Sequence, residues 1–203
     1  MTDAIAPAVT DIVFGIDGRA VPADHGRVLL QQLCVHLPWL EMEAQAGIHS
    51  IRGSLAGTGE LLLNRRTKLV MRVPIGRIGD TLELSGKRLE VGEDALIVGQ
   101  GKIKPLVAYS PVYAQCVVTG SEGEAAFAAD VIRLLRGMGV DTRFICGRRR
   151  AIRTADGLQY GYSLLLHGLP LEHAIRMQEA GLGDGRKTGC GIFVPHKSIS
   201  ALE

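Results

Sequence analysis

Aromatic residues are scarce in this chain, making up only 4% of its 203 residues. A protein so poor in Phe, Tyr and Trp lacks the sheet surface on which common RNA-recognition domains stack unpaired bases. Long hydrophobic runs are missing too, since no stretch approaches the about 18 uncharged apolar residues of a membrane span. The N-terminus shows no basic segment followed by an apolar one, so we expect a cytoplasmic protein.

Cysteine is sparse and dispersed along the chain. None of the four cysteines lies at metal-ligand spacing from another cysteine or from a histidine pair, which argues against a zinc site and a disulfide framework. Clustered carboxylates are absent as well, so we expect neither a metal nor another cofactor. Buried free thiols are expected at all four positions: Cys34, Cys116, Cys146 and Cys190.

Positive charge is concentrated in two segments, although the formal net charge is only +2. Residues 48–104 contain ten basic and six acidic side chains, and residues 143–197 contain nine and four. Residues 1–47 contain only two arginines against six acids. Arginine provides 17 of the 23 basic residues, and its planar guanidinium suits paired contacts with phosphate groups.

The hydrophobic pattern predicts the order β-α-β-β-α-β twice. In the first half we expect a strand over 11–19, a helix between Pro22 and Pro38, strands within 46–74, a short helix over 75–86 and a strand over 94–106. In the second half we expect a strand over 113–120, a helix over 122–139, a hairpin within 142–169, a helix over 171–181 and a strand over 192–199. Two such units predict an α+β protein with tandem ferredoxin-like (RRM-like) modules, at residues 1–108 and 109–203.

A glycine-rich segment, GLGDGRKTGCG, joins the last predicted helix to the last predicted strand. A phosphate-binding P-loop needs glycine directly before Lys-Ser/Thr, and it connects a strand to a helix. Here Arg186 stands before Lys187 and Thr188, and the loop leads into a strand, which argues against an ATPase. The glycines either permit a tightly packed loop or let the backbone approach an anion, and they are Gly181, Gly183, Gly185, Gly189 and Gly191.

The chain resembles the CRISPR-associated repeat-RNA endoribonucleases of the RAMP superfamily, which process precursor CRISPR RNA. The resemblance depends on the two modules and the GLG-x-x-R-x-x-GCG-x-F loop. The patches VPADHGRVLL, LPWL and GIHSIRG are similar to the Myxococcus-type branch. The resemblance implies a metal-independent endoribonuclease that cleaves the repeat by 2′-OH attack, leaves a 2′,3′-cyclic phosphate and retains the mature guide RNA. It also implies that the glycine-rich loop, with Arg186 and Lys187, contacts the RNA.

The resemblance further implies a catalytic histidine on or just after the first helix, where three histidines occur. His36 lies on the predicted buried stripe of that helix and is expected to be structural. His25 lies at the helix start, where the helix dipole favours a neutral ring, but a capping or packing role is an equal alternative. His49 precedes a predicted strand that carries Arg52, which would bring a proton-transfer group close to a phosphate-binding cation. The alternative for His49 is a structural strand histidine.

Arginines cluster at the predicted hairpins of both modules. Arg148, Arg149 and Arg150 occupy the second hairpin, and Arg65 and Arg66 the equivalent place in the first. Either these side chains enter the deep groove of an A-form stem or they line solvated turns. We expect the partners to be a CRISPR repeat stem-loop, the mature crRNA and other effector-complex subunits. The alternatives are a non-catalytic RNA-binding subunit of such a complex and, more distantly, a ferredoxin-like regulatory domain.

Overall fold

The computed structural model describes residues 7–154 and 157–196. Its chain divides into two compact units. The first unit contains the chain up to Leu106 together with Arg186–Gly189, and the second contains most of the chain from Val107 onward. Across the described ranges, no helix is both long enough and apolar enough to cross a membrane.

The first unit is built on a five-stranded sheet. Its elements in chain order are β1 (Val9–Asp17), β2 (Ala20–Pro22), α1 (Gly26–His36), β3 (Gly47–Ile48), β4 (Ser54–Leu55), β5 (Glu60–Leu62), β6 (Lys68–Pro74), α2 (Ile78–Leu82), β7 (Arg88–Glu90) and β8 (Ala95–Lys104). The main sheet has the strand order β3-β6-β1-β8-β7, and β2, β5 and β4 form a small second sheet. Strands β3, β6, β1 and β8 with the two helices make the first ferredoxin-like module.

Side-chain alternation along β1 and β6 separates the core of the first unit from its site. Ile12 and Phe14 of β1 are buried with Met71 of β6 in a cluster that includes Leu29 and Leu33 of α1. These strands pair in antiparallel register. Because successive side chains of a strand point to opposite faces, the polar residues between these core positions lie on the other face of the sheet.

The second unit repeats the same order with a four-stranded sheet. Its elements are β9 (Val112–Val118), α3 (Glu124–Gly137), β10 (Arg143–Thr154), β11 (Gly157–His167), α4 (Leu171–Ala180) and β12 (Phe193–Pro195). The strand order is β10-β11-β9-β12, again the ferredoxin-like arrangement. Phe127 and Val131 of α3 pack with Met177 of α4 in its core. The predicted fold class is therefore confirmed.

The element bounds differ from the expected ones where local signals are weak. The first strand covers Val9–Asp17 and not residues 11–19, and the short helix is reduced to Ile78–Leu82 after a 3-10 turn at Ile75–Arg77. Strands β2, β4, β5 and β7 have only two or three residues each, too few to show a periodic pattern. The end of the predicted last strand, residues 197–199, and the turn of the second hairpin at 155–156 lie outside the described residues.

Candidate active site

A buried ion pair lies on the face of the main sheet opposite the core of the first unit. Asp11 on β1 stands directly across from Arg72 on β6 in the antiparallel register. Arg72 is fully buried and donates from Nε to Oδ1 of Asp11 at 2.8 Å and from Nη2 to Oδ2 at 3.0 Å. Burial alone would raise the pKa of Asp11, but the contacts with His49 and Arg72 hold it far below its usual range. Asp11 is therefore a carboxylate with both oxygens engaged.

His49 lies beside this pair. It follows β3, and its backbone N–H donates to the carbonyl of Val70 on β6 at 2.9 Å. Nε2 of the ring is buried and lies 3.5 Å from Oδ1 of Asp11, longer than an ordinary hydrogen bond. The side chain is 18% exposed, so the ring lies at the boundary between the buried pair and solvent. Nδ1 is the nitrogen left for a substrate.

Burial lowers the pKa of His49, and the charges of two arginines act in the same direction, whereas Asp11 raises it. The net direction is downward from 6.5. The imidazole is therefore neutral at pH 7 and can accept a proton, while the nearby carboxylate is placed to stabilise the ring after protonation.

Arg186 adds a second guanidinium, from the 3-10 turn Arg186–Thr188 of the first unit. Its Nε, Nη1 and Nη2 atoms are all buried, and none has a hydrogen-bond partner among the described residues. Burial lowers the pKa of Arg186 to about 10, with the charge of Arg72 acting alongside and Asp11 opposing. The group stays charged at neutral pH. We call Asp11, His49, Arg72 and Arg186 the Asp11 cluster; it holds two cations, one carboxylate and a neutral ring.

Close backbone packing fixes the turn that carries Arg186. A Cβ added to Gly26, the first residue of α1, would lie 2.5 Å from the carbonyl oxygen of Thr188. Gly189 has φ +97°, and a Cβ there would meet Ser50 at 3.0 Å. Nζ of Lys187 donates to the carbonyl of Glu41. Glycine at positions 26 and 189 therefore lets the turn lie against α1 and the segment after β3.

His25 occupies a different environment from His49. It is 2% exposed, with Nδ1 3.0 Å from the carbonyl oxygen of Pro22 and Nε2 accepting from the N–H of Ile51 at 2.9 Å. This pattern requires the tautomer with hydrogen on Nδ1. Burial lowers the pKa of His25, so the ring is neutral. It stands at the N-cap of α1, but its side chain makes no capping hydrogen bond. Because both nitrogens are engaged, the geometry favours the packing alternative over capping or proton transfer.

The remaining histidine near α1 is only half-buried. His36 is the last residue of that helix, and its Nε2 lies 3.3 Å from the carbonyl oxygen of Arg88. Cys34 and Cys146 are half-buried rather than buried as expected, whereas Cys116 and Cys190 are buried, and none of these four described cysteines is in a disulfide.

The basic segments lie partly where the sequence predicted. Arg65 and Arg66 are exposed in the turn between β5 and β6. Arg52 is exposed but lies in the irregular segment between β3 and β4, so the expectation that it is on a strand is wrong. The strands on either side, β3 and β4, have only two residues each, which is too short for an alternating pattern to show where a strand ends.

The arginine run of the second unit is inside a strand. Arg148, Arg149 and Arg150 belong to β10, so their expected position at the hairpin turn, equivalent to that of the first-unit pair, is wrong. Arg148 and Arg149 are exposed, and the guanidinium of Arg149 lies 3.7 Å above the ring of Tyr160. Arg150 is half-buried, and its Nε has no hydrogen-bond partner among the described residues. The run lies within β10, whose hydrogen-bonded neighbour in the sheet is β11.

Every glycine of the glycine-rich segment has positive φ. Gly183 is the most constrained, since φ is +71° and an added Cβ would lie 2.1 Å from the carbonyl oxygen of Val118. At Gly191, with φ +67°, an added Cβ would lie 2.5 Å from the carbonyl oxygen of Leu182. Side chains at these places would be strained and would clash. The packed-loop role is therefore required at these two positions.

The sequence model of the family described as Cas6 Crispr matches residues 10–198. This span includes the Asp11 cluster, both ferredoxin-like modules and the glycine-rich segment. The chain belongs to the Cas6 family.

A curated Cas6 relative has a similar sequence over nearly the whole chain. It is the CRISPR-associated endonuclease Cas6 of Myxococcus xanthus (strain DK1622), 36% identical over 186 residues that cover 91% of this chain and 80% of the relative. The resemblance to the repeat-RNA endoribonucleases is thereby confirmed, and so is the assignment of the chain to a family of CRISPR endonucleases.

Solved structures share the Cas6 fold at low sequence identity. A CRISPR-associated Cas6 protein matches with TM-score 0.66 and 14% identity, covering 93% of this chain and 100% of its own. A RAMP protein described as binding different RNA substrates matches with TM-score 0.67 and 13% identity over the same shares. Cse3 of Thermus thermophilus, bound to an RNA representing a pre-cleavage complex, matches with TM-score 0.50 and 14% identity, covering 92% and 98%.

Two residues of the site in this Cas6 chain are not foreseen from the sequence. Asp11 and Arg72 are 61 positions apart, and only the register of β1 with β6 brings them together. A charged residue within an apolar strand is the available signal, because such residues are rarely buried without a partner. Asp11 in DIVFGI and Arg72 in KLVMRVP both fit that description.

Proposed function

We propose that this Cas6 protein binds the stem-loop of a CRISPR repeat and cleaves it at one phosphodiester without a metal ion. The reaction uses the 2′-OH of the nucleotide 5′ of the cut as nucleophile. The 2′ oxygen forms a bond to phosphorus, the bond to the 5′ oxygen breaks, and the products are a 2′,3′-cyclic phosphate and a 5′-OH. The observation that carries the proposal is His49, a neutral imidazole at the solvent boundary with a carboxylate behind it.

His49 takes the proton of the 2′-OH in this proposal. The accepting atom is Nδ1, because Nε2 faces Asp11 at 3.5 Å. When the ring becomes positive, the carboxylate stabilises it and holds its orientation, as in other Asp–His pairs. The 3.5 Å separation shortens when the ring is charged, because the positive ring and the carboxylate then attract each other. Catalytic hydrogen bonds are often long in the free enzyme and tighten in the complex. Water protonates the 5′ oxygen as it leaves.

Exposed arginines supply the affinity for RNA. Arg148 and Arg149 offer guanidinium groups on β10, and a duplex stem presents phosphate oxygens at regular spacing. The proposed contacts also include Arg52, Arg65, Arg66, Arg150, Arg186 and Lys187. The proposal draws support from the Cse3 structures determined with bound RNA, which share the fold. We further propose that the protein retains the mature crRNA and passes it to effector-complex subunits.

The test is cleavage of labelled repeat RNA in EDTA, with enzyme in excess so that product release does not limit the rate. We expect cleavage to persist, and to stop when the nucleotide 5′ of the cut is 2′-deoxy, while binding of the deoxy RNA remains. The cyclic phosphate end is checked by its resistance to ligation until acid opens it. Strict dependence on Mg²⁺, or cleavage of the deoxy substrate, would contradict the mechanism. Tight binding with no cleavage of any repeat would favour the non-catalytic RNA-binding subunit.

A further inference from the structure

Two cysteines lie together in the second unit, away from the Asp11 cluster. Cys116 on β9 and Cys190, three residues before the start of β12, are buried with Val118 in a small cluster against which Ile152 packs. The two thiols are hydrogen-bonded to each other. Their backbones are tied as well, because the N–H of Gly191 donates to the carbonyl of Cys116 at 2.7 Å. The fold therefore holds two thiols side by side on neighbouring segments of backbone, as a disulfide requires.

The thiol pair lies on the face of the four-stranded sheet that points away from the helices. Val117 of β9 belongs to the core that contains residues of α3 and α4. Cys116 and Val118, on either side of it in the sequence, belong to the separate cluster of the two thiols. Since successive side chains of a strand point to opposite faces, the thiols are outside the helix-covered core.

A glycine on the intervening strand brings an arginine close to the pair. Strand β11 lies between β9 and β10, and a Cβ added to Gly161 of β11 would lie 2.5 Å from Sγ of Cys116. Arg150 of β10 is two residues before Ile152, so both side chains are on the face where Ile152 packs against the thiol cluster. Nε of Arg150 is buried and has no hydrogen-bond partner among the described residues. Its charge acts on Cys116 across the gap that glycine leaves.

These surroundings favour the thiolate form of Cys116. The hydrogen bond from Cys190 lowers the pKa of Cys116 below its ordinary 9.0; burial opposes this change, and the charge of Arg150 supports it. By contrast, burial raises the pKa of the thiols of Cys34 and Cys146. Because the thiolate is the form that reacts with oxidants, Cys116 is more reactive than either of these two cysteines.

We propose that Cys116 and Cys190 are a reversible dithiol–disulfide pair that a small hydroperoxide, such as hydrogen peroxide, oxidises. The thiolate sulfur of Cys116 attacks one peroxide oxygen, the O–O bond breaks, and the other oxygen leaves and takes up a proton to become water. The sulfur of Cys190 then attacks the sulfenic acid on Cys116, the S–S bond forms, and the hydroxyl leaves as water with the Cys190 proton. The two sulfurs lose two electrons, and the peroxide is reduced to two waters.

Burial selects the oxidant and protects the intermediate. Cys116 is 5% exposed and Cys190 is 3% exposed, so a small, uncharged oxidant reaches the pair more readily than a bulky one. The thiol beside the sulfenic acid captures it before a second peroxide converts it to an irreversible product. A small dithiol reductant restores the thiols by exchange. This site does not depend on the proposed cleavage of RNA.

The test is mass spectrometry of the folded full chain after treatment with hydrogen peroxide. We expect the loss of two hydrogens and one linked pair of peptides, joined through Cys116 and Cys190 and separated again by dithiothreitol. The matched control is the double variant Cys34→Ser, Cys146→Ser, which should form the link at the wild-type rate. Cys116→Ser and Cys190→Ser should each abolish the link.

Unfolding the wild type shows whether the fold holds the thiols ready. In guanidinium chloride the same link should form at least about tenfold more slowly, because the two sulfurs are no longer held together. Equal rates in the folded and unfolded protein would overturn the proposal. Oxidation of Cys34 or Cys146 in the folded protein, with no link between Cys116 and Cys190, would overturn it as well.

Substitution of Arg150 tests the activation of Cys116. Arg150→Gln should slow the peroxide reaction about three- to tenfold, since less of Cys116 is then thiolate. The matched control is Arg143→Gln, which changes an exposed arginine at the start of the same strand and should leave the rate unchanged. Equal rates for the wild type and Arg150→Gln would overturn the role of the arginine.

The thermal stability of the oxidised protein completes the test. The disulfide closes a loop of about 75 residues, and a cross-link of this length stabilises the fold by restricting the unfolded chain. We expect oxidation to raise the Tm by about 5–15 °C, and reduction to return it to its starting value. A Tm below that of the reduced protein would mean that the bond distorts the fold, and it would overturn the proposal.

Discussion

Substitution of His25 distinguishes packing from proton transfer in this Cas6 protein. The ring is buried, and it joins two parts of the chain by accepting the N–H of Ile51 and contacting the carbonyl of Pro22. His25→Ala removes both contacts and leaves a cavity. His25→Gln keeps an acceptor close to the position of Nε2, so it restores the bond from Ile51 in part.

The expected cost follows from these contacts. The buried N–H of Ile51 loses its acceptor, at about 1–3 kcal/mol, and the lost packing adds to this. We expect His25→Ala to lower the free energy of unfolding by about 2–4 kcal/mol. For a chain of this size that corresponds to a Tm lower by about 5–15 °C. His25→Gln should recover about half of the loss.

Cleavage by the same variants completes the comparison. At a temperature where each variant is folded, His25→Gln should cleave repeat RNA within about threefold of wild type, with enzyme in excess. His49→Ala should cleave about 10²- to 10⁴-fold more slowly. Its unfolding free energy should fall by less than about 1.5 kcal/mol, because the contact of Nε2 of His49 with Asp11, at 3.5 Å, is longer than an ordinary hydrogen bond.

The refuting results are specific. A folded His25→Gln protein that cleaves a hundredfold more slowly would mean that His25 handles a proton, contrary to its engaged nitrogens. Wild-type rates for His49→Ala would remove the histidine from the mechanism. Circular dichroism before each assay shows whether the variant is folded.

Two further predictions concern charge. Replacing Arg148, Arg149 and Arg150 by Gln should make the slope of log affinity against log salt shallower by about two to three. The control is Arg133→Gln on α3, where Arg133 is paired with Asp130 at 2.9 Å, and it should leave the slope unchanged. An unchanged slope in the triple variant would mean that the three arginines are solvated and contact no phosphate. Burial lowers the pKa of His25, so below about pH 6.5 the unfolded chain binds more protons than the folded one. The free energy of unfolding therefore decreases as the pH is lowered through this range, by up to about 1.4 kcal/mol per pH unit for that group. Urea unfolding at pH 7.5 and 5.5 should show a smaller loss for His25→Gln, and equal losses would contradict the assignment.

The sequence predicts the fold well because each long element carries a strong local signal. The helix α3 has the apolar spacing that buries Phe127 and Val131, and α4 ends at Gly181 with φ +72°. Short strands escape prediction, since two or three residues show no alternation. The ferredoxin-like order depends only on the long elements, so the fold class is predicted despite these omissions.

The site is less predictable than the fold. His49 follows from the resemblance to a known family, but its carboxylate partner depends on the pairing of strands far apart in the sequence. The glycine motif draws attention to Arg186, yet burial of its nitrogens is a property of the folded turn. For the arginine run, the local sequence gives the wrong prediction: its composition suggests a turn, but in the structure it lies within strand β10, next to β11 in the sheet.

The late position of Arg186–Gly189 in the chain has a consequence for biosynthesis. These residues belong to the first unit, although about 80 residues are translated between Leu106 and Arg186. At the usual 5–20 residues per second, the ribosome takes about 4–16 s to cover that distance. The nascent first unit therefore waits for its final piece until the second is almost synthesised. A premature stop before codon 186 leaves the first unit without that piece, so the two halves of this gene cannot be separated at the boundary near residue 106.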